Sequence, residues 1–226
     1  MAKTQQHGFP GMVLAFVLAL VWSMPAWSAD EPPVDELPPP ERVVESVFEQ
    51  AVDALLENQD EIRKDPRVAF ELIDEILSPH VHYDLMTQLV LGRHARDASE
   101  EQLQRFARAF RDSTMRTYAS MLSDNVDTVV RIVEASGEII EIQQVSEPDA
   151  RQRVNVRTSL KLEDTPLPVI YRMIATDEGW RVYDVVIENI SFVTSARDDY
   201  GSEVRRRGLD ETIQRLEQRN KRAWQN

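Results

Sequence analysis

Tyr183 and Asp184 are the residues of this chain best placed to do chemistry. They are adjacent in GWRVYDVVIENISFV (Gly179–Val193), the most densely apolar stretch beyond the chain's start. A carboxyl in apolar surroundings has its pKa raised by desolvation. Beside a phenol it could serve as general acid and base on a small substrate, as in isomerase sites of small α+β proteins. The plainer use of Asp184 is an ion pair with an arginine such as Arg172 on a neighbouring strand. A second group, His80, His82 and Asp84 in HVHYD, has metal-ligand residue types, with His94 nearby. No second histidine-rich segment supplies the remaining ligands, so these read as loop histidines.

Other chemistries are excluded by what is missing. The chain has no cysteine, so a thiol nucleophile is impossible, and its seven glycines never form a dinucleotide fingerprint or a phosphate-binding loop. No G-x-S-x-G elbow is present. Asn189–Ser191 matches a glycosylation sequon, but within a strand-like run. Arg205–Arg207 sit late in a helical segment, where cations suit the helix dipole.

The elements that must position these residues follow from the 226-residue chain itself. It begins with Lys3, an apolar run from Met12 to Trp22, and small residues Ala26 and Ser28. This is a signal peptide over 1–28, cut after Ser28. The run is shorter than the roughly 20 residues a bilayer span needs. Nothing later resembles a span, and the absence of cysteine rules out a lipid-anchored lipoprotein. The formal net charge of −13 argues against nucleic acid and anionic membrane surfaces as partners. Residues 29–40, DEPPVDELPPP with its preceding alanine, form a proline-rich acidic leader expected to have no packing role. One domain, 41–222, remains.

Helical spacing runs from about Glu41 to Leu122. Val44, Val47, Phe48, Ala51, Leu55 and Ile62 form one amphipathic stripe. Asp65 caps a second helix with Pro66 at its first position and Pro79 as its stop. Gly92 closes a third, and Ser99 with Gln102 makes a capping box for a fourth. The pattern then turns to β. Strands are expected over Asp127–Ala135, Glu138–Ser146, Arg151–Glu163 and Pro166–Asp177, with Asp177–Trp180 as a tight turn into the Gly179–Val193 stretch. Helices return from Phe192, the last capped by Asp210. Helices, then strands, then helices is α+β, with helices packed on an antiparallel sheet. One irregularity stands out. Both residue sets of Gly179–Val193 are largely apolar and each carries a charge, so period-two alternation fails there.

Two segments carry a family resemblance. LVLGRHARDASEEQLQRFARAFRDSTMRTYASML (Leu89–Leu122) resembles the signature helix of the MlaC-like, toluene-tolerance (Ttg2-type) family of periplasmic phospholipid-transport proteins. GWRVYDVVIENISFVTSARDDYGSEVRRRGLDETIQRL (Gly179–Leu216) resembles that family's second signature, departing from it at Asn189, where glycine is common, and at SARDDY. The resemblance spans about residues 41–220.

What it implies is a curved antiparallel sheet packed against several helices, enclosing an apolar lipid cavity. The cargo would be a glycerophospholipid, and no cofactor or catalysis is implied. The protein would work in the periplasm of a Gram-negative bacterium. It would shuttle lipid between an outer-membrane lipoprotein–porin complex and an inner-membrane ABC transporter with an MCE-domain subunit, maintaining outer-membrane lipid asymmetry. On the sheet, the candidate cavity walls are Val156, Val169, Tyr171, Met173, Tyr183, Val185 and Ile187. Phe106, Phe110, Tyr118, Ile190 and Phe192 would close the cavity from the helical side. Periodicity alone cannot separate a hollow core from a filled one.

Overall fold

The computed structural model describes residues 37–136, 139–161 and 166–223. The expected signal peptide and most of the expected acidic leader lie outside the described residues. Six α-helices and a five-stranded antiparallel sheet follow in the order α1 (Pro40–Lys64), α2 (Pro66–Leu77), α3 (Tyr83–Leu91), α4 (Glu100–Ser136), β1 (Ile140–Val145), β2 (Arg153–Leu160), β3 (Leu167–Thr176), β4 (Gly179–Ile187), β5 (Ile190–Ser191), α5 (Phe192–Arg207) and α6 (Leu209–Arg222). The sheet is a meander with its strands in chain order. This is the α+β architecture that the pattern of elements predicts.

The caps fall where their residue types place them. The Asp65 side chain accepts from the Arg67 N–H at the start of α2. Ser99 and Gln102 form both arms of the capping box, at 2.9 and 3.2 Å. α3 ends at Gly92, whose φ of 56° lies in the left-handed region glycine enters at little cost. Arg197 donates to the Leu89 carbonyl at 2.6 Å, tying α5 to the exposed end of that helix.

Two expectations change. Asp127–Ala135 is the last part of α4, not a strand. Its β-branched residues cost little helix propensity, and Val126 and Val130 are buried at four-residue spacing against Leu55, Ile62, Ala69 and Ala119. Tertiary burial therefore overrides local preference. The N-cap of α6 is Gly208, and Asp210 lies within the first turn, accepting from Gln102 at 2.8 Å.

The failed alternation of Gly179–Val193 is a β-bulge. β4 pairs Trp180 with Ala175 and Val182 with Met173, then resumes at Asp184 with Arg172 and Val185 with Tyr171. Tyr183 is the extra residue. One insertion shifts the parity of everything after it, so Trp180, Val182, Val185 and Ile187 share the face of Val169, Tyr171 and Met173. A second irregularity lies between β1 and β2 near Ile142. Beyond Ile187 the chain turns through Glu188 and Asn189, both at positive φ, and pairs back as β5.

Three buried clusters hold the fold. One joins α3, the first half of α4, α5 and α6 around Phe106, Phe110, Leu91 and Ile213. Another packs Val44 of α1 on the sheet face of Val154, Val156, Met173, Ala175 and Trp180. Leu37, at the end of the proline-rich stretch, packs there too, and the Trp180 indole donates to the Pro38 carbonyl at 3.0 Å. The third lies between α1, α2 and the second half of α4.

Candidate functional site

The third cluster is not filled. A cavity of about 330 Å³ lies between α1, α2 and α4, and all sixteen residues lining it are apolar. α1 contributes Phe48, Ala51, Val52, Ala54, Leu55 and Ile62; α2 contributes Ala69, Leu72, Ile73, Ile76 and Leu77; α4 contributes Leu122, Val129, Ile132 and Val133; and Ile139 closes the group ahead of β1. Each helix turns one side of its apolar stripe into the space. A lining without hydrogen-bond partners is hostile to water. It can hold hydrocarbon, and it offers no group for acid–base chemistry.

α1 is held at its C-terminal end by the Ser123 hydroxyl, which donates to the Ile62 carbonyl at 2.8 Å. On the opposite side of α2, Asp74 pairs with Arg111 of α4 and also accepts from Ser78. The walls are thus tied at identifiable points, with apolar packing between them.

The twelve candidate wall residues are divided among four places, and none lines this cavity. Phe106 and Phe110 are almost fully buried and stack at 5.8 Å, with Tyr200 edge-on to both at 5.2 and 5.6 Å and Phe192 5.9 Å from Phe110. That aromatic group belongs to the helical cluster. Val156, Val169, Tyr171 and Met173 lie on the sheet face toward α1, with Val185 beside Tyr171. Burial pushes the Tyr171 phenol up to about 12. Tyr118, Ile187 and Ile190 are exposed, at 46, 42 and 66 %. Tyr183 stands apart, its ring 5.1 Å beneath the Arg153 guanidinium. Part of the lining appears in the sequence as the apolar stripe of the first helix, whereas Val129, Ile132 and Val133 fall in the segment expected as a strand. What no sequence signal marks is that the apolar sides of the three helices fail to meet.

Asp184 is fully engaged. It is 2 % exposed and accepts from Arg172 at 3.0 Å, from the Ser191 hydroxyl at 2.7 Å and from the Val193 N–H at 3.0 Å. Ser191 in turn caps α5, accepting from Thr194 at 3.0 Å. The pairing with Arg172 is the plainer of its two expected uses. With its oxygens committed to three donors, Asp184 fastens β4, β5 and α5 together.

The histidine segment also does structural work. The His82 N–H donates to the Val182 carbonyl at 2.9 Å, and Val81 bridges Val182 beyond the short β5. His82 Nδ1 accepts from the Leu85 N–H at the start of α3. Burial, helped by Arg181, holds both His80 and His82 below the ordinary imidazole range. Among the described residues no group of three or more His, Asp or Glu side chains could hold a metal ion, and no helix is long and apolar enough to cross a membrane.

The family model described as MlaC protein matches residues 45–218. The chain is 23 % identical over 180 residues to the intermembrane phospholipid transport system binding protein MlaC of Haemophilus influenzae, covering 76 % of this chain and 79 % of that one. It is 24 % identical over 178 residues to the toluene tolerance protein ttg2D of Pseudomonas putida, covering 77 % and 78 %. In fold it is similar to the phospholipid-binding protein of Ralstonia solanacearum, solved in complex with a phospholipid. There the TM-score is 0.65 at 21 % identity, over 80 % of this chain and 96 % of that one.

Proposed function

The chain belongs to the MlaC protein family, and from that premise we propose that it is a periplasmic carrier that binds phospholipid by its acyl chains and moves it between membranes. The observation that carries this reading is the wholly apolar cavity between α1, α2 and α4. If a methylene takes the ~30 Å³ that a water molecule occupies in the liquid, the 330 Å³ holds about eleven methylenes. At ~0.8 kcal/mol each, that is about 9 kcal/mol of hydrocarbon kept from water. A two-chain lipid needs more room, so the helices around the cavity part when cargo enters. Their mutual contacts are mostly apolar, and a lipid tail replaces such contacts in kind.

In this reading the sheet face of Val156, Val169, Tyr171, Met173 and Val185 becomes part of the enlarged wall as α1 moves. Tyr118, Ile187 and Ile190, already exposed, are apolar rim. In this reading the protein is not an enzyme: among the described residues the buried carboxylate, Asp184, is held by three donors. It is exported by a signal peptide cut after Ser28, and of the leader 29–40 the part before Leu37 serves as spacer, since Leu37 and Pro38 are held against the sheet. Its docking partners are an outer-membrane lipoprotein–porin complex and an inner-membrane ABC transporter bearing an MCE-domain subunit.

The test is mass spectrometry of the protein purified from cells in which it meets native membranes. Phospholipid at close to one per chain is the expected result. Protein that is lipid-free, with its interior closed by its own side chains, would end the carrier reading.

A further inference from the structure

The two ends of α1 are held in different ways. At the C-terminal end Ile62 is 1 % exposed, and the Ser123 hydroxyl donates to its carbonyl at 2.8 Å. The neighbouring Arg63 donates to Asp127 of α4 at 3.0 and 2.6 Å. One extended residue, Asp65, joins this end to α2. At the N-terminal end the hold is a small patch on the sheet. Val44 is the buried residue of that half of the helix, with Leu37 and Val43 packed beside it. The Trp180 indole N–H, 3 % exposed as a residue, donates to the Pro38 carbonyl at 3.0 Å.

Between its ends α1 has little beneath it. Phe48 and Val52 line the apolar cavity, and they also line a separate hollow of about 680 Å³ beside Ile139 and Ile140. Side chains that border open space forfeit the dispersion contacts that would hold the helix down. From Val44 to Ile62 the helix runs about 27 Å, so a tilt of about 10° about the Ile62 end carries Val44 about 5 Å. Such a tilt breaks one hydrogen bond and one small apolar patch. The Ser123 and Arg63 contacts at the far end stay in place.

We propose that α1 is a lid hinged at its Ile62–Asp65 end, and that Leu37 and Pro38, held on Trp180, are the latch whose opening admits cargo. The proposal rests on the carrier reading above, in which α1 moves off the sheet, and adds where the helix parts and where it stays. Trp180 is a positioning residue: it holds the lid without lining the cavity. While the open form is rare, weakening the latch raises the fraction of chains ready for lipid, and with it both uptake rate and apparent affinity. The net worth of one neutral hydrogen bond shifts such a balance about fivefold, and truncating a partly buried leucine is of the same order.

The experiment follows uptake by the lipid-free chain, starting at Ala29, from vesicles of phosphatidylethanolamine and phosphatidylglycerol. From Ala29 onward the tryptophans are Trp180 and Trp224, so Trp224→Phe leaves one indole N–H, whose hydrogen exchange NMR reads in the empty protein. In that background Leu37→Ala, which lies outside every helix and strand, is expected to speed both lipid uptake and indole exchange about fivefold. Leu37→Met, which keeps the side-chain volume, should restore both. Trp180→Phe removes the indole donor, keeps a ring on the sheet, and should speed uptake likewise. A patch that only stabilises the fold would lower Tm and leave uptake unchanged. Uptake by Leu37→Ala at the wild-type rate therefore overturns the latch and leaves the carrier intact. No lipid on the wild-type protein overturns the carrier reading, and this proposal with it.

Discussion

Arg172 of β3 and Asp184 of β4 face each other at 3.0 Å, directly beyond the bulge at Tyr183. The arginine is partly exposed and the carboxylate is buried. Asp184 also holds the start of α5, so the pair links the sheet to the helical half. Asp184→Ala removes a capping acceptor and strands buried donors, a loss of about 2–3 kcal/mol. For a chain of this size that lowers Tm by roughly 5–10 °C. Thermal unfolding measures it. Below its lowered Tm the variant should still carry lipid, whereas loss of lipid without loss of stability would give Asp184 a direct part in binding.

The cavity predicts an unusual response to larger side chains. In a packed core Val133→Phe would cost about 1–3 kcal/mol through overpacking. Here the ring enters open space, and stability is expected to change by less than about 1 kcal/mol while lipid per chain falls severalfold. Chemical denaturation and lipid quantification on the same sample separate the two.

Tyr171→Asp and Val185→Asp place a charge on the sheet face of the proposed enlarged wall. Lipid retention is expected to fall further than the folded fraction, read from lipid per chain and circular dichroism. If the face is permanently packed, an unpaired buried charge costs about 3–5 kcal/mol and unfolding comes first.

Tyr171 also predicts an alkaline limit. Its phenol ionises at about 12 in the folded chain against an ordinary 10.0. The folded state therefore holds this proton more tightly than the unfolded state does. The stability it confers is whole below pH 10 and is lost as pH rises from there through about 12. Tyr171→Phe should flatten this part of the stability–pH curve, as followed by denaturant titrations at stepped pH. An unchanged slope would place the alkaline loss elsewhere.

Export predicts the mature end. N-terminal sequencing of protein from the periplasmic fraction should begin at Ala29. A start at Met1 would remove the export assignment.

The sequence by itself determined the order of helices, then strands, then helices, and the caps at Asp65, Gly92 and Ser99, and it offered Arg172 as one partner for Asp184. It did so because caps and periodicity rest on short-range spacing. It also carried the family, through the spaced residues of Leu89–Leu122 and Gly179–Leu216. Tertiary structure alone decided that Val126 and Val130 lie in a helix, because burial against α1 and α2 outweighs a small propensity cost. It alone decided that one extra residue at Tyr183 resets the faces of β4. And it alone decided where the chain is hollow. Leu72, Ile73 and Val133 form apolar stripes like those of any packed helix. Whether three such stripes meet or stand apart depends on the distance between their helices, which no single segment encodes.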